Sequence, residues 1–209
     1  MKIETGQHVS IVGTTGSGKT YFAKNALLPL YSRIIVVDTE DYDFADFPAV
    51  SSKKALRLAK SDYRFHVRVR FPPKADDTLD DLCNGLLEVG HDLAVYFDEV
   101  TDFSTPAVIP DSLRGLIRKA RKRGITVIVA TQRPQFLNKA FLANSQHRIY
   151  FYVSDYDRAA IRDYAPWMTE RAADIPYGSY RSIYQAPDGT LTVLLPAKEY
   201  AWSKRRQTG

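Results

Sequence analysis

Short apolar runs and helical stripes alternate along the chain, and the switches between them mark its elements. "HVSIVG", His8 to Gly13, is a compact buried-strand pattern. "RIIVVD", Arg33 to Asp38, is a continuous run rich in Ile and Val, as expected of a strand covered on both faces. "LAVYFDEV" (Leu93 to Val100), "ITVIVATQ" (Ile125 to Gln132) and "HRIYFYV" (His147 to Val153) predict further strands. "RFHVRVRF" differs, because Phe65, Val67, Val69 and Phe71 alternate with Arg64, His66, Arg68 and Arg70, giving one apolar and one basic face.

Between these runs the spacing becomes helical. A helix is predicted from about Lys19 to Leu28, stopped by Pro29, which lacks the N–H that the next turn needs. From Asp76 the stripe is Leu79, Leu82, Cys83, Leu86 and Leu87. In "DSLRGLIRKARKRG" it is Leu113, Leu116, Ile117 and Ala120, opposite Arg114, Arg118, Arg121 and Lys122, with Gly124 as the natural stop. Pro134 opens a helix carrying Phe136, Leu137, Ala140 and Phe141, and another runs from about Asp155 to Tyr164. Beyond Pro166 a short helical piece reaches Asp174, and "YRSIYQAPDGTLTVLLP" predicts a hairpin turning at Asp188-Gly189.

Strands alternating with helices from Val9 to Tyr164 imply right-handed βαβ units, hence an α/β fold with a mainly parallel sheet flanked by helices and a C-terminal β-hairpin addition at its edge. No internal repeat or low-complexity linker interrupts the pattern, and 209 residues are enough for one substantial core. The expectation is a single domain over residues 1–209, with a core of about 3–165, an edge addition of about 166–200 and a frayed basic tail over 201–209.

Composition narrows the setting. Hydrophobic residues make up 44% of the chain, yet no run of about eighteen of them could cross a bilayer, and the N-terminus lacks the apolar region of a secretory signal. A soluble, unsecreted protein without an integral membrane segment follows. The single Cys83 cannot form an internal disulfide, which suits a reducing compartment, and its place in an apolar stripe predicts an inert, buried thiol. The formal net charge of +5 is modest, so placement matters more than total. "RKARKR" and the basic face of "RFHVRVR" admit two readings, a solvated face or a contact with nucleic acid or another subunit.

Candidate chemistry begins at "GTTGSGKT". Gly13, Thr14, Thr15, Gly16, Ser17, Gly18, Lys19 and Thr20 match G-x-x-x-x-G-K-[ST] between a predicted strand and a predicted helix, the context a phosphate-binding P-loop requires. Glycines let the backbone wrap a phosphate and aim N–H groups at it, and the helix adds the positive end of its dipole. In that reading Lys19 reaches the β- and γ-phosphates of ATP and Thr20 ligates Mg²⁺. A second piece is Asp98-Glu99, delivered by an apolar strand to the edge where parallel sheets place ligands. Asp98 suits an outer-sphere Mg²⁺ role and Glu99 suits a general base for water, although a strand-end acidic pair can also merely cap or face solvent. Thr131-Gln132 ends an otherwise apolar strand expected near the P-loop strand, where the Gln132 amide could touch both γ-phosphate and attacking water. A simple polar strand terminus is the alternative.

"GTTGSGKT", "YFDEV" and "GITVIVATQRP", taken together, resemble the FtsK–HerA superfamily of ring-forming P-loop ATPases that pump DNA, over about Ile3 to Tyr164. The resemblance implies a RecA-like P-loop NTPase fold. "FLANSQHRIYFYVSDYDRAAI" looks like the family segment in which an arginine ahead of the next strand enters the neighbouring subunit's site; by position that is Arg148, with Arg123, Arg121 and Arg118 in reserve. The family's N-terminal membrane domain, its C-terminal winged helix and a HerA-type barrel have no counterpart in this sequence, and the small size resembles the genome-packaging ATPases of membrane-containing, double-jelly-roll viruses. That likeness implies double-stranded DNA held without sequence specificity, a homo-oligomeric ring of five or six subunits, capsid or portal vertex proteins as partners, and a place in the host cytoplasm or at the virion vertex. The loop from Thr101 to Pro110 could then act as a lever between nucleotide state and DNA. A single-stranded DNA export or conjugation ATPase, a non-motor nucleotide switch and a P-loop kinase are the competing readings.

Overall fold

The predicted strands pair into one sheet. In the computed structural model, which describes residues 2–39, 43–71 and 76–202 (without the side chains of 76–78), the strands are β1 (Val9–Val12), β2 (Arg33–Asp38), β3 (Ala49–Val50), β4 (Phe65–Arg70), β5 (Ala94–Phe97), β6 (Thr126–Thr131), β7 (His147–Tyr150), β8 (Ser182–Gln185) and β9 (Leu191–Leu194). Their order is β3-β4-β2-β5-β6-β1-β7-β8-β9. Every pair from β3 to β7 is parallel, whereas β7–β8 and β8–β9 are antiparallel. The C-terminal hairpin thus extends the sheet at one edge, its turn closed by the Gly189 amide donating to the Ala186 carbonyl at 2.9 Å.

The continuous apolar runs are explained by two cores, one on each side of the sheet. Side chains alternate across a strand, so β1 sends Val12 to one core and Val9 and Ile11 to the other. The first core packs the sheet against α2 (Ser52–Lys60), α3 (Asp76–Val89), α4 (Asp111–Lys119) and α5 (Lys139–Asn144), followed by α6 (Asp155–Ile161) and α7 (Met168–Arg171). The second packs it against the helix after the Gly-rich loop, α1 (Lys19–Phe22), and the buried rings of Phe44, Phe47 and Trp202. Cys83 is fully buried in the first core, and burial pushes its thiol up to about 12, in keeping with an inert side chain.

The strand β3 and the helix α2, which Ser51 caps by accepting from the Lys54 amide, are not predicted from the sequence, and three further details differ from its pattern. The helix from Lys19 is α-helical only to Phe22, widens to a π-helical turn over Ala23–Leu27 and tightens to a 3-10 turn over Leu28–Leu30. Pro29 sits in the first positions of that last turn, where no N–H is demanded of it. The segment opened by Pro134 divides into a 3-10 turn, Pro134–Phe136, and α5, because the Asn138 side chain accepts from the Ala140 amide at 3.0 Å and caps a new helix. The basic face of β4 turns partly inward: Arg68 pairs with Asp38 at 3.1 Å and His66 lies against Phe47 and Trp202. Residues 203–209 of the predicted tail and residues 40–42 of the acidic loop lie outside the described residues.

Candidate nucleotide site

The Gly-rich loop leaves β1 at the C-terminal edge of the sheet, where its backbone is tied to both neighbouring strands. The Gly13 amide donates to the Thr131 carbonyl at 3.3 Å and the Thr14 amide to the Tyr152 carbonyl at 2.9 Å. Position 13 must be glycine for lack of room, since a Cβ there would lie 2.6 Å from the Phe151 Cβ. Gly16 and Gly18 have φ of +74° and +96°, and Gly18 opens α1 from this left-handed conformation. Inside the loop the buried Ser17 hydroxyl has no hydrogen-bond partner, and Lys19, only 7% exposed, folds back so that its Nζ donates to the Thr14 carbonyl at 2.8 Å. A buried ammonium closed over a loop of N–H groups is an arrangement made for an anion.

Strand order brings the remaining candidates alongside. β6 lies directly beside β1, with Val12 opposite Thr131, and β5 lies beside β6. The Thr20 hydroxyl, on the first turn of α1, donates to Asp98 Oδ1 at 3.1 Å, and the Tyr96 hydroxyl donates to the same oxygen at 2.6 Å. Burial raises the Asp98 carboxyl to about 6, the bonds from Tyr96 and Thr20 pull it down, and the charges of Asp43 and Asp38 push it up. Glu99, 6% exposed, accepts from the Gln132 amide through Oε2 at 2.7 Å, and from the Thr101 amide at 3.3 Å and the Thr101 hydroxyl through Oε1. The Gln132 side chain closes the circuit, its Oε1 accepting from the Thr15 hydroxyl at 2.6 Å. Lys19, Thr20, Asp98, Glu99 and Gln132 therefore share one site built from the ends of three adjacent parallel strands.

The donor set fits Mg²⁺. Thr20 Oγ1 and the Asp98 Oδ1 that accepts from it are hard oxygens of the kind Mg²⁺ and its bound waters prefer, and among the described residues no group of three or more His, Cys, Asp or Glu side chains forms a metal cage. An ion that keeps several waters and is completed by phosphate oxygens needs only such a pair.

Arg148 is not brought to this cluster. It sits on β7 opposite Ser10, with its guanidinium donating to the Leu142 carbonyl at 3.0 and 3.2 Å and to Gln185 Oε1 at 3.4 Å, above the Tyr164 ring. Arg118, Arg121 and Arg123 are exposed on α4 and the 3-10 turn after it, which leads through Gly124 into the N-terminal end of β6, the edge opposite the site. Two contacts of the site went unread in the sequence: Tyr96 is an ordinary strand aromatic until Asp98 is seen on the same face, and Thr101 carries no local signal beyond lying two residues after Glu99.

No family model matches the chain. Over 141 residues it is 28% identical to Protein P9 of Pseudoalteromonas phage PM2, an alignment covering 65% of this chain and 63% of that protein. Among solved structures, the genome packaging NTPase B204 of Sulfolobus turreted icosahedral virus 2 in complex with sulfate matches with a TM-score of 0.77 and 20% identity, over 93% of this chain and 98% of B204. The same NTPase in complex with AMPPCP gives a TM-score of 0.79 at 20% identity, over 92% of this chain and 98% of B204. ATPases 2 and 3 of Thermomonospora curvata EccC match with a TM-score of 0.59 and 14% identity, over 94% of this chain and 40% of that one. The motif resemblance and the likeness of architecture converge, and the chain is built on the P-loop NTPase fold, a mostly parallel sheet flanked by helices, that it shares with a viral genome-packaging NTPase.

Proposed function

We propose that the protein is an ATPase that drives double-stranded DNA into a viral capsid, working as a homo-oligomeric ring. The observation that carries this reading is the convergence of Lys19, Thr20, Asp98, Glu99 and Gln132 on one sheet edge, on a fold matched along almost its whole length by a genome-packaging NTPase.

The loop amides and the Lys19 ammonium bind the triphosphate, Lys19 exchanging its contact with the Thr14 carbonyl for phosphate oxygens. Thr20 and Asp98 would hold Mg²⁺, which when bound neutralises phosphate charge and orients the terminal groups. Glu99 accepts the proton of the attacking water, and its two anchored oxygens limit how far the carboxylate can swing. The Gln132 amide, tied to Thr15 on one side and following a backbone N–H that holds Glu99 on the other, aligns that water with the γ-phosphate. Charge developing on the transferred group calls for an arginine from the adjoining subunit, and Arg148 is assigned that role, which requires it to leave the Leu142 carbonyl. Motion along any sequence needs contacts with phosphates rather than base edges, which the exposed Arg114, Arg118, Arg121 and Lys122 supply chemically. Capsid or portal vertex proteins are the assigned partners, at the virion vertex or in the host cytoplasm.

Phosphate release measured with and without duplex DNA tests the reading. Hydrolysis stimulated by duplex but not by single-stranded DNA, and lowered on the order of 10²- to 10⁴-fold by Glu99→Gln with nucleotide binding retained, is the expected outcome. Stimulation by single strands alone favours an export ATPase, and a rate indifferent to both DNA and Glu99→Gln abandons the motor.

A further inference from the structure

The Gly-rich loop has two shoulders, and Glu99 and Gln132 occupy only one. Sheet order sets Gln132 and Glu99, at the ends of β6 and after β5, on one side of β1, and β7 and β8 on the other. A triphosphate lying along the loop with its terminal phosphate at Glu99 must send its ribose and base toward the β7–β8 side. There the segment preceding β8 folds back over the loop: the Tyr180 ring comes within 3.0 Å of where a Gly18 Cβ would stand, and the Tyr177 hydroxyl within 3.5 Å of a Gly16 Cβ. Both rings are largely open to solvent, Tyr177 at 65% and Tyr180 at 54%, and they flank a loop whose Thr15 and Gly16 are themselves exposed, so the face they frame is open to a ligand. Tyr152 meets Tyr177 edge to face at 5.3 Å, and its carbonyl accepts the Thr14 amide, so the aromatic group is fastened to the loop itself.

The backbone reinforces the point. Tyr180 has φ of +54°, a left-handed conformation rare for a bulky residue, and Gly178 two positions earlier has φ of +77°. The Ser179 amide donates to the Pro176 carbonyl at 3.1 Å and its hydroxyl accepts from the Arg181 amide at 3.3 Å, holding the turn that aims both rings. Strain of this kind persists where surrounding structure imposes it and gathers at ligand clamps.

We propose that Tyr177 and Tyr180 form a stacking platform for the nucleobase of the bound nucleotide. The proposal rests on the P-loop reading of Gly13 to Thr20 and adds the half of the ligand that the loop does not touch. Faces of tyrosine rings suit any base, so the platform contributes affinity and places the ribose more than it selects adenine.

Calorimetric titration with two ligands, Mg-ATP and Mg-tripolyphosphate, separates the platform from the loop. Tyr177→Ala and Tyr180→Asn, the latter chosen because asparagine tolerates a positive φ, are each expected to weaken Mg-ATP binding on the order of tenfold and to leave tripolyphosphate binding unchanged. Tyr180→Phe should retain ATP affinity, since the ring and not the hydroxyl is used. Equal weakening of both ligands would show that the tyrosines merely brace the loop, and unchanged ATP affinity would show that they face something else, such as a second subunit. Either result overturns the platform while sparing the P-loop. Failure of the unmodified protein to bind either ligand overturns both.

Discussion

At the scale of single residues, Asp98 and His8 couple the fold to pH in opposite senses. Asp98 rises to about 6 in the folded chain against an ordinary value of 3.8, chiefly because burial disfavours its charge. Its stabilising contribution is therefore complete below about pH 3.8 and is lost as pH rises through about 6. His8, on the first turn of chain into β1, donates from Nε2 to the Ile117 carbonyl at 2.9 Å and accepts the Val127 amide at Nδ1 at 3.1 Å. Burial lowers it from 6.5 to about 4, against the raising effect of the Ile117 bond and with the charge of Arg121. Stability from the neutral ring is present above pH 6.5 and is lost as pH falls toward 4. Each effect is on the order of 3 kcal/mol, so in the nucleotide-free protein they nearly cancel between pH 6.5 and 4. Asp98→Asn keeps an oxygen to accept from Thr20 and Tyr96 but removes the buried charge. Thermal denaturation should show the variant more stable than the parent at pH 8 and falling more steeply on acidification, while Mg²⁺-dependent hydrolysis is lost. A variant whose melting curve tracks the parent across that range would refute the cancellation. Asp98 and Glu99 were legible in the sequence because charge at the end of an apolar strand is conspicuous. Their helpers Tyr96 and Thr101 were not, since a strand tyrosine and a loop threonine acquire meaning only from what they touch.

Among the elements, the strand-to-helix junction tolerates little change. Gly13→Ala would press a methyl against Phe151 Cβ and within 2.8 Å of Ser17 Oγ, where neighbouring backbone leaves no room to yield. Urea denaturation should register a loss of about 1–3 kcal/mol, with weakened nucleotide binding alongside. The short turn after β5, Val100–Asp102, carries a different kind of dependence, for it holds Thr101 against Glu99 and ties Thr39 to Asp102 at 2.8 Å. Thr101→Val preserves shape and deletes the hydroxyl. It should reduce kcat about tenfold or more through misplacement of the carboxylate while leaving the Kd for ATP unchanged; equal losses in both would mean that the turn itself had collapsed. The strands and their apolar periodicity were readable residue by residue, because pleating and burial act locally. The π-helical widening after Phe22 was not, since no residue of that stretch signals it, and the break at Asn138 went unread although its cause is a local cap.

For the whole molecule, no arginine among the described residues pairs with Glu99, whose partners are Gln132 and Thr101, and Arg148 is held by its own Leu142 and Gln185. If Arg148 acts across a subunit boundary, Arg148→Ala should bind ATP like the parent yet hydrolyse it roughly 10³-fold more slowly. Mixing it with Glu99→Gln subunits should restore activity at those boundaries where an intact Glu99 meets an intact Arg148. Mixtures no more active than either parent would remove Arg148 from the role and turn attention to Arg118, Arg121 and Arg123. The sequence by itself determined the alternation of strand and helix, the phosphate loop and the acidic pair, because periodicity, glycine and the charge at a strand end are properties of short segments. Only the tertiary structure decided that β6 lies between β5 and β1, so that Gln132 spans Thr15 and Glu99, and that a turn more than 150 residues after the loop folds its tyrosines over it. Which strands become neighbours, and which loops therefore meet at one edge, is a property of the packed sheet and is written in no single segment of the chain.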